Sequence, residues 1–194
     1  MDLSSDKMVF DVSPFEDGVI TASRNHWGKT TLVKNYIEPF KHRAVILDTQ
    51  NDFGDDYTKV HYADFSKQSL AHFVQRIKDL SQIHVVFDDV DVYDPQNCRE
   101  FYNLMASAAH KEFGWSLTVR RFLWLDKITI QNAKYLIFSN MIPIEDKVYL
   151  QKAGINLGDD FDNKLKLVNE PHKFIYFNTY DGSTGLLKTR RMHG

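Results

Sequence analysis

The residues with the clearest chemical potential are Gly28, Lys29 and Thr30. They follow the short apolar run Val19-Ile20 and a stretch of small, polar and turn-tolerant residues, 21–27, and they open a helical pattern. A strand, a loop and a helix that starts with Gly-Lys-Thr are the context of a phosphate-binding P-loop. The first N–H groups of a helix carry partial positive charge and have no partner inside it, so they stabilise an anion. The sequence therefore predicts a site for the phosphates of ATP.

Each part of this loop has an expected role. Lys29 would reach the β- and γ-phosphates, and the Thr30 hydroxyl would bind Mg²⁺. The loop that would enclose the nucleotide consists of Ser23, Arg24, Asn25, His26, Trp27, Gly28, Lys29, Thr30 and Thr31. Ser23 departs from the pattern G-x-x-x-x-G-K-[ST], and we expect it to strain a sharp turn that glycine would make freely. His26 and Trp27 are also bulky for a loop that wraps phosphate closely.

Two adjacent carboxylates end a later apolar segment. Residues 83–87 are followed by Asp88 and Asp89, and a buried strand that ends in an acid matches the Walker B pattern. We expect Asp88 to bind Mg²⁺ directly or through water, because this ion prefers oxygen ligands and keeps several waters. Asp89 would be the general base that polarises the attacking water. The alternative is an aspartate-rich loop after a buried strand, which is a common feature.

A third group of chemical residues follows the fourth predicted strand. Thr118 is placed to sense the γ-phosphate, and Arg120 or Arg121 to stabilise charge on the transferred phosphoryl group, usually across a subunit boundary. Arg24 and Arg99 are alternatives for the arginine role. A solvated pair of surface arginines is the simpler interpretation of Arg120 and Arg121.

The segments that must position these residues alternate between strands and helices. Apolar runs typical of buried parallel strands occur at 19–20, 43–48, 83–89, 115–119 and 135–138. Helical spacing predicts helices at 29–37, 66–80 (with Ser66 as its cap), 95–111, 143–153 and 159–168. Between them, Arg120-Arg121 opens a predicted loop to Asn132, and the chain ends in two strands around an Asp181-Gly182 turn.

This alternation predicts an α/β fold of the P-loop NTPase class, RecA/ASCE-like, with a mostly parallel sheet flanked by helices and a C-terminal β-hairpin. We expect a single P-loop ATPase domain over 1–194, with its core at about 17–140 and the C-terminal helices and hairpin at about 143–190. Residues 1–18 are predicted to be an irregular or edge-strand lead-in. A chain of 194 residues with 43% hydrophobic side chains suits one such domain.

Composition limits the cellular location and the nucleic-acid contacts that we expect. No apolar run approaches the roughly 18 residues that cross a bilayer, so we expect no membrane insertion. The N-terminus lacks a signal-peptide pattern, and the single cysteine, Cys98, fits a reducing, cytoplasmic location. With a net charge of -2, nucleic-acid contact would need a local patch or a ring of subunits. Residues 41–43 and 188–191 are candidate patches, with solvated surface charge as the alternative.

The order of these motifs resembles the FtsK/HerA superfamily of P-loop ATPases, which includes genome-packaging ATPases of archaeal and other membrane-containing viruses. The resemblance covers roughly residues 17 to 190, and its P-loop and Walker B are the specific parts. It rests on SRNHWGKTT (23–31), ILDTQNDF (46–53), VVFDDVD (85–91), EFGWSLTVRRFLWLDKITIQNAKYLIFSNM (112–141) and the C-terminal hairpin.

That resemblance implies an ATP-hydrolysing motor that translocates double-stranded DNA, most simply for packaging a viral genome in the host cytoplasm. It also implies self-association into a ring, commonly hexameric, with ATP at the subunit interfaces and DNA in the pore. Capsid or vertex proteins are partners that such a motor would have. Asp89 stands where the family usually has the longer glutamate, a departure that bears on turnover more than on nucleotide binding.

Two alternatives remain open at this point. The first is a nucleotide-binding regulatory or assembly protein whose degenerate P-loop gives weak turnover. The second is a small-molecule kinase of the P-loop class, which would need an arginine-rich lid and an acceptor pocket. The residues after Arg121, at 122–124, are apolar rather than lid-like.

Overall fold

A computed structural model describes residues 12–139 and 142–189 of the chain. Its strands are β1 (Gly18–Ala22), β2 (Ala44–Leu47), β3 (Thr58–Val60), β4 (Ile83–Phe87), β5 (Phe113–Val119), β6 (Tyr135–Phe138), β7 (Lys173–Asn178) and β8 (Thr184–Lys188). They form one sheet in the order β3-β2-β4-β5-β1-β6-β7-β8. All neighbours from β3 to β6 are parallel, whereas β6–β7 and β7–β8 are antiparallel. The predicted mostly parallel sheet with a C-terminal hairpin is confirmed.

The α-helices of the described residues are α1 (Lys29–Ile37), α2 (Lys67–Ile77), α3 (Arg99–Ser107), α4 (Lys127–Gln131), α5 (Ile144–Lys152) and α6 (Phe161–Leu165). Short 3-10 turns lie at Glu38–Arg43, Val90–Tyr93, Pro95–Asn97, Ala108–His110, Phe122–Trp124 and Lys166–Val168. The predicted bounds of α1 are confirmed, and so is the cap of α2, because the Ser66 hydroxyl accepts the N–H of Ser69 at 3.2 Å. None of these helices is long and apolar enough to cross a membrane.

Apolar side chains cover both faces of the sheet. On β1, Val19 packs in a cluster with Leu32 of α1, while Ile20 packs in the larger cluster on the other face. That larger cluster includes the fully buried Phe101 of α3 and Trp115 of β5. A central strand that is buried on both sides has a continuous apolar sequence, which is why these strands are recognisable from sequence.

Parallel pairing sets the carboxyl ends of three strands at one edge. β5 lies between β1 and β4, with Ala22 opposite Val119 and Phe87 opposite Leu117. The loop after β1 and the acids after β4 therefore emerge on either side of the end of β5. In open α/β sheets such an edge is where ligands bind.

The predicted helix over Pro95–Lys111 is wrong in its extent. Pro95–Asn97 forms a separate 3-10 turn, and Cys98 is extended, with φ -103° and ψ 101°, before α3 begins. The Asn97 amide donates to both carboxylate oxygens of Asp94 at 2.9 Å. This local side-chain bond favours a turn over a continuous helix.

The predicted loop from Arg120 to Asn132 is also wrong, because it contains the turn Phe122–Trp124 and helix α4. Asp126 caps this helix, since its carboxylate accepts the N–H of Thr129 at 2.9 Å.

Two further parts of the chain were predicted incompletely, strand β3 and the residues before β1. Strand β3 was not predicted: it is a three-residue edge strand in a polar stretch, which leaves little apolar pattern. Of the predicted lead-in, residues 12–17 form a turn without a strand. Residues 1–11 and the basic pair Arg190-Arg191 lie outside the described residues.

Candidate nucleotide-binding site

The loop after β1 turns directly onto the N-terminus of α1. Ser23 is buried, and its N–H donates to the Val119 carbonyl at 3.1 Å, which extends the ladder between β1 and β5. Gly28 starts the helix in the left-handed region at φ 89°. Among the described residues, no side chain caps α1, and its first turn carries no acid. The N–H groups of this turn therefore remain available to an anion.

The strain expected at Ser23 is absent, because the left-handed positions of the loop are His26, at φ 62°, and Gly28. Ser23 needs no glycine conformation, and its hydroxyl donates to the Arg24 carbonyl at 3.2 Å. Arg24 and Asn25 are exposed, Trp27 is half-buried, and Thr31 lies half-buried in the first turn of α1.

Lys29 is folded back onto its own loop. Its side chain is 5% exposed, and Nζ donates to the Ser23 carbonyl at 3.2 Å. The same atom lies 3.3 Å from Oδ1 of Asp89. In this state the predicted phosphate-binding lysine and the predicted general base neutralise each other.

Asp88 is enclosed at the centre of hydrogen bonds from three threonines. It is fully buried, with the Thr30 hydroxyl 3.1 Å from Oδ1 and the Thr118 hydroxyl donating to the same oxygen at 2.8 Å. The Thr49 hydroxyl donates to its backbone carbonyl. Burial and the neighbouring charge of Asp89 raise the pKa of Asp88 to about 7. A cation at this carboxyl would shift it fully to the charged form.

Asp89 has an unusual backbone for a non-glycine residue, with φ 44° and ψ 46°. Aspartate adopts this left-handed region more readily than most residues do. Its N–H donates to the Thr118 hydroxyl at 2.7 Å. Thr118 thus holds both acids, donating to the Asp88 carboxylate and accepting from the Asp89 backbone.

Thr30 and Asp88 fit a magnesium ion. Both present oxygen atoms, the donors that Mg²⁺ prefers, and they lie 3.1 Å apart. Thr30 is in the first turn of α1, where phosphates would bind, and Asp88 follows the end of β4. No group of three or more histidine, cysteine, aspartate or glutamate side chains that could hold a metal occurs in the described parts of the chain. The protein would thus supply few ligands, and phosphate oxygens and water would supply the rest.

The two predicted arginines lie beside the loop and are paired within the chain. Nε of Arg120 donates to Asp91 Oδ2 at 2.6 Å, and its guanidinium lies 4.7 Å from the Trp124 ring centre. Arg121 donates to Asp146 at 3.1 Å and to Glu145 at 3.3 Å. A cleft of about 360 Å³ adjoins them, lined by Ala22, Ser23, Arg24, Arg120, Arg121, Phe122, Ile142, Pro143 and Asp146.

Sequence reasoning did not assign two residues, Asp91 and Thr49, that complete this constellation. Asp91 belongs to the Walker B segment, and its position two residues after Asp89 was the available signal. Thr49 follows β2, one residue after another buried acid, Asp48. Arg99, the alternative arginine, is exposed at the start of α3.

Known structures share this architecture. The genome packaging NTPase B204 from Sulfolobus turreted icosahedral virus 2, in complex with AMPPCP, superposes with a TM-score of 0.70 at 14% identity, over 91% of this chain and 99% of that one. The cytoplasmic domain of the type VII secretion ATPase EccC from Thermomonospora curvata gives 0.62 at 13%, over 92% of this chain and 24% of that one. The pCW3 conjugation coupling protein TcpA with ATPγS gives 0.59 at 11%, over 89% and 60%.

No protein-family model matches the sequence, and no curated protein matches it significantly. At identities this low the likeness concerns the fold. The resemblance drawn from the sequence segments is confirmed at that level: the chain has a P-loop ATPase fold, which it shares with this genome packaging NTPase, this secretion ATPase and this conjugation coupling protein.

Proposed function

We propose that this chain binds ATP with Mg²⁺, hydrolyses it, and uses the hydrolysis to move double-stranded DNA during packaging of a viral genome. The observation that carries the ATPase part is the meeting of Lys29, Thr30, Asp88 and Asp89 at the free N-terminus of α1. The DNA part is supported by the fold shared with a genome packaging NTPase and a conjugation coupling protein.

Binding would rearrange Lys29 first. The triphosphate lies on the N–H groups of the first turn of α1, and Lys29 leaves the Ser23 carbonyl and Asp89 to reach the β- and γ-phosphates. Its departure frees the Asp89 carboxylate from the ion pair, so that its oxygen can accept a hydrogen bond from water. Nucleotide binding would thus release the base that the next step needs.

Hydrolysis then follows from the positions of the acids. Asp89 takes a proton from a water whose oxygen bonds to the γ-phosphorus, while the bond to the bridging oxygen breaks and ADP leaves. Thr118 fixes the backbone of Asp89 and the carboxylate of Asp88 through its two hydrogen bonds. Thr30 and Asp88 would hold Mg²⁺, which when bound neutralises phosphate charge.

Assembly is the second half of the proposal. A ring, most simply a hexamer of this single domain, would place Arg120 or Arg121 of one subunit at the phosphates of the next. Each arginine would first have to leave its own acid, Asp91 for Arg120 and the pair Glu145 and Asp146 for Arg121. Capsid or vertex proteins would receive the motor, and the assembly would work in the host cytoplasm.

Phosphate release with and without double-stranded DNA tests the proposal in wild type, Lys29→Ala and Asp89→Asn. We expect release that DNA stimulates in the wild type and that falls at least roughly 100-fold in both variants. Lys29→Ala loses the cation at the phosphates, and Asp89→Asn loses the base that takes the proton from water. Asp89→Asn should still bind ATP. Release that DNA leaves unchanged would contradict the motor, and transfer to a small acceptor would indicate a kinase.

One observation favours a second candidate, a nucleotide-binding regulatory or assembly protein with weak turnover. The ion pair between Lys29 and Asp89 occupies both reactive groups at once, and the aspartate is shorter than the usual glutamate. ATP binding without phosphate release, with DNA present or absent, would establish this candidate instead.

A further inference from the structure

The open end of the C-terminal hairpin lies at the same edge of the sheet as the phosphate-binding loop. β7 runs antiparallel to β6, so its first residues and the last residues of β8 reach the edge where β1 ends. His172 directly precedes β7, and Thr189 directly follows β8. The topology thus brings two residues that are far from the loop in sequence to its side.

His172 contacts the loop through its backbone and its ring. Its N–H donates to the Trp27 carbonyl at 3.0 Å. Its imidazole covers Gly28 so closely that a Cβ on Gly28 would lie 2.4 Å from Nδ1. Because Gly28 is the left-handed residue that starts α1, the ring packs against the turn that aims the first helical N–H groups.

Thr189 fixes this histidine from the other side. Its hydroxyl lies 2.9 Å from Nδ1 of His172, and its N–H donates to the His172 carbonyl at 3.0 Å. Thr189 is buried, at 6% exposure. His172 itself is left-handed, with φ 68°, a conformation that persists where the surroundings enforce it. Both the backbone and the ring of His172 are therefore held.

We propose that His172 and Thr189 form a brace that positions the phosphate-binding loop. The inference rests on the proposed function, since the brace matters to function only if the loop grips a triphosphate. His172 is a positioning residue, because it acts through Trp27 and Gly28 rather than on the nucleotide. Glycine at Gly28 has wide backbone freedom, and the brace removes that freedom before the ligand arrives. A loop released from it would have to be ordered on binding, which lowers affinity.

Calorimetric titration of the full chain with ATPγS and Mg²⁺ tests the brace. We expect His172→Ala to raise Kd about tenfold and Thr189→Val to raise it roughly threefold, with kcat at saturating ATP within about twofold of wild type and KM raised. His172→Asn should restore Kd to within about twofold, because asparagine tolerates the left-handed region and can bond Thr189. The matched control is Thr184→Val, the same change at the far end of β8, where the hydroxyl accepts from Lys164.

The outcomes separate this inference from the proposed function. If the wild type binds and His172→Ala binds equally well, the brace is overturned and the ATPase proposal stands. If the wild type itself binds no ATPγS, both fail. If His172→Ala does not fold, an unchanged Kd for Thr189→Val overturns the brace. A His172→Asn protein as weak as His172→Ala would also overturn it, because the bond to Thr189 would then contribute nothing.

Discussion

At the scale of single residues, the geometry explains why an aspartate follows Asp88. Residue 89 sits at φ 44° and ψ 46°, and its carboxylate already lies 3.3 Å from Lys29 Nζ. A longer acid would have to fold back to reach the same place, and glutamate adopts the left-handed region less readily than aspartate. The left-handed backbone and the short side chain of Asp89 therefore act together to place its carboxylate beside Lys29.

Asp89→Glu should consequently lower activity, even though it restores the residue that is usual in the resembling family. We expect kcat to fall about tenfold, as for a displaced general base, with Kd for ATP within about threefold of wild type. Single-turnover phosphate release measures this. A faster variant would mean that chain length, and not the turn, limits the base.

Thr118 and Thr21 offer a matched pair on neighbouring strands. They lie opposite each other in the register of β1 and β5. The Thr118 hydroxyl bonds Asp88 and the Asp89 N–H, whereas the buried Thr21 hydroxyl has no partner among the described residues. Thr118→Val should cost about 1–3 kcal/mol in the free energy of unfolding, and Thr21→Val about zero or a small gain. Urea unfolding measures the free energy of unfolding of both variants. Equal losses in the two variants would contradict this role of Thr118.

The site was predictable from sequence where residues are adjacent in the chain. Lys29 and Thr30 share one motif, and Asp88 and Asp89 another. The bond from Thr118 to Asp88 depends on how β5 aligns with β4, and the contact of His172 with Gly28 depends on how β7 joins β6. Such pairings follow from strand register, which short sequence patterns do not specify.

At the scale of elements, continuous apolar runs predicted every central strand, because those strands are buried on both faces. The edge strand β3 and helix α4 were missed, since one is short and polar and the other has only five residues. Elements of that length take their stability from tertiary contacts more than from local pattern. Their existence becomes visible only when the neighbouring strand or the cap is known.

The close packing of β5 against β4 gives a prediction at this scale. A Cβ on Gly114 would lie 2.2 Å from the Pro14 carbonyl oxygen and 2.7 Å from His84 Nδ1. Gly114→Ala should therefore lower the free energy of unfolding by about 2 kcal/mol or more. Gly54→Ala is the control, because there the nearest atom belongs to the exposed, flexible Asp56 side chain. Thermal unfolding of both measures it, and similar melting temperatures would refute the clash.

At the scale of the whole molecule, two buried groups give stability opposite dependences on pH. His84 donates from Nδ1 to the Pro14 carbonyl at 2.9 Å and accepts at Nε2 from the Ser116 hydroxyl, and burial lowers its pKa to about 4. Its unfolded form has a pKa near 6.5, so the unfolded chain binds more protons between these values. His84 therefore favours the folded state at high pH, and its contribution falls as pH drops from about 6.5 to 4.

Asp88 acts in the reverse sense. Its pKa rises to about 7 in the folded chain, against about 3.9 unfolded, so the folded state binds more protons across that window and stability falls as pH rises. Each group changes the free energy of unfolding by roughly 3–4 kcal/mol across the pH interval between its folded and unfolded pKa values. In the nucleotide-free protein with a chelator present, the two dependences should largely cancel near pH 5–6.

Replacing each group in turn should expose the other. Relative to wild type, the free energy of unfolding of His84→Gln should rise as pH falls from 6.5 to 4.5, because Asp88 then acts alone. The free energy of unfolding of Asp88→Asn should fall over the same interval, because the unfolded chain still takes up a proton on His84 that the folded chain does not. Urea titrations at four pH values give both slopes. Parallel curves for the two variants would mean that neither buried group changes its pKa on unfolding. Adding Mg²⁺ with ATP should remove the pH dependence that Asp88 causes, because the bound cation holds that carboxylate charged.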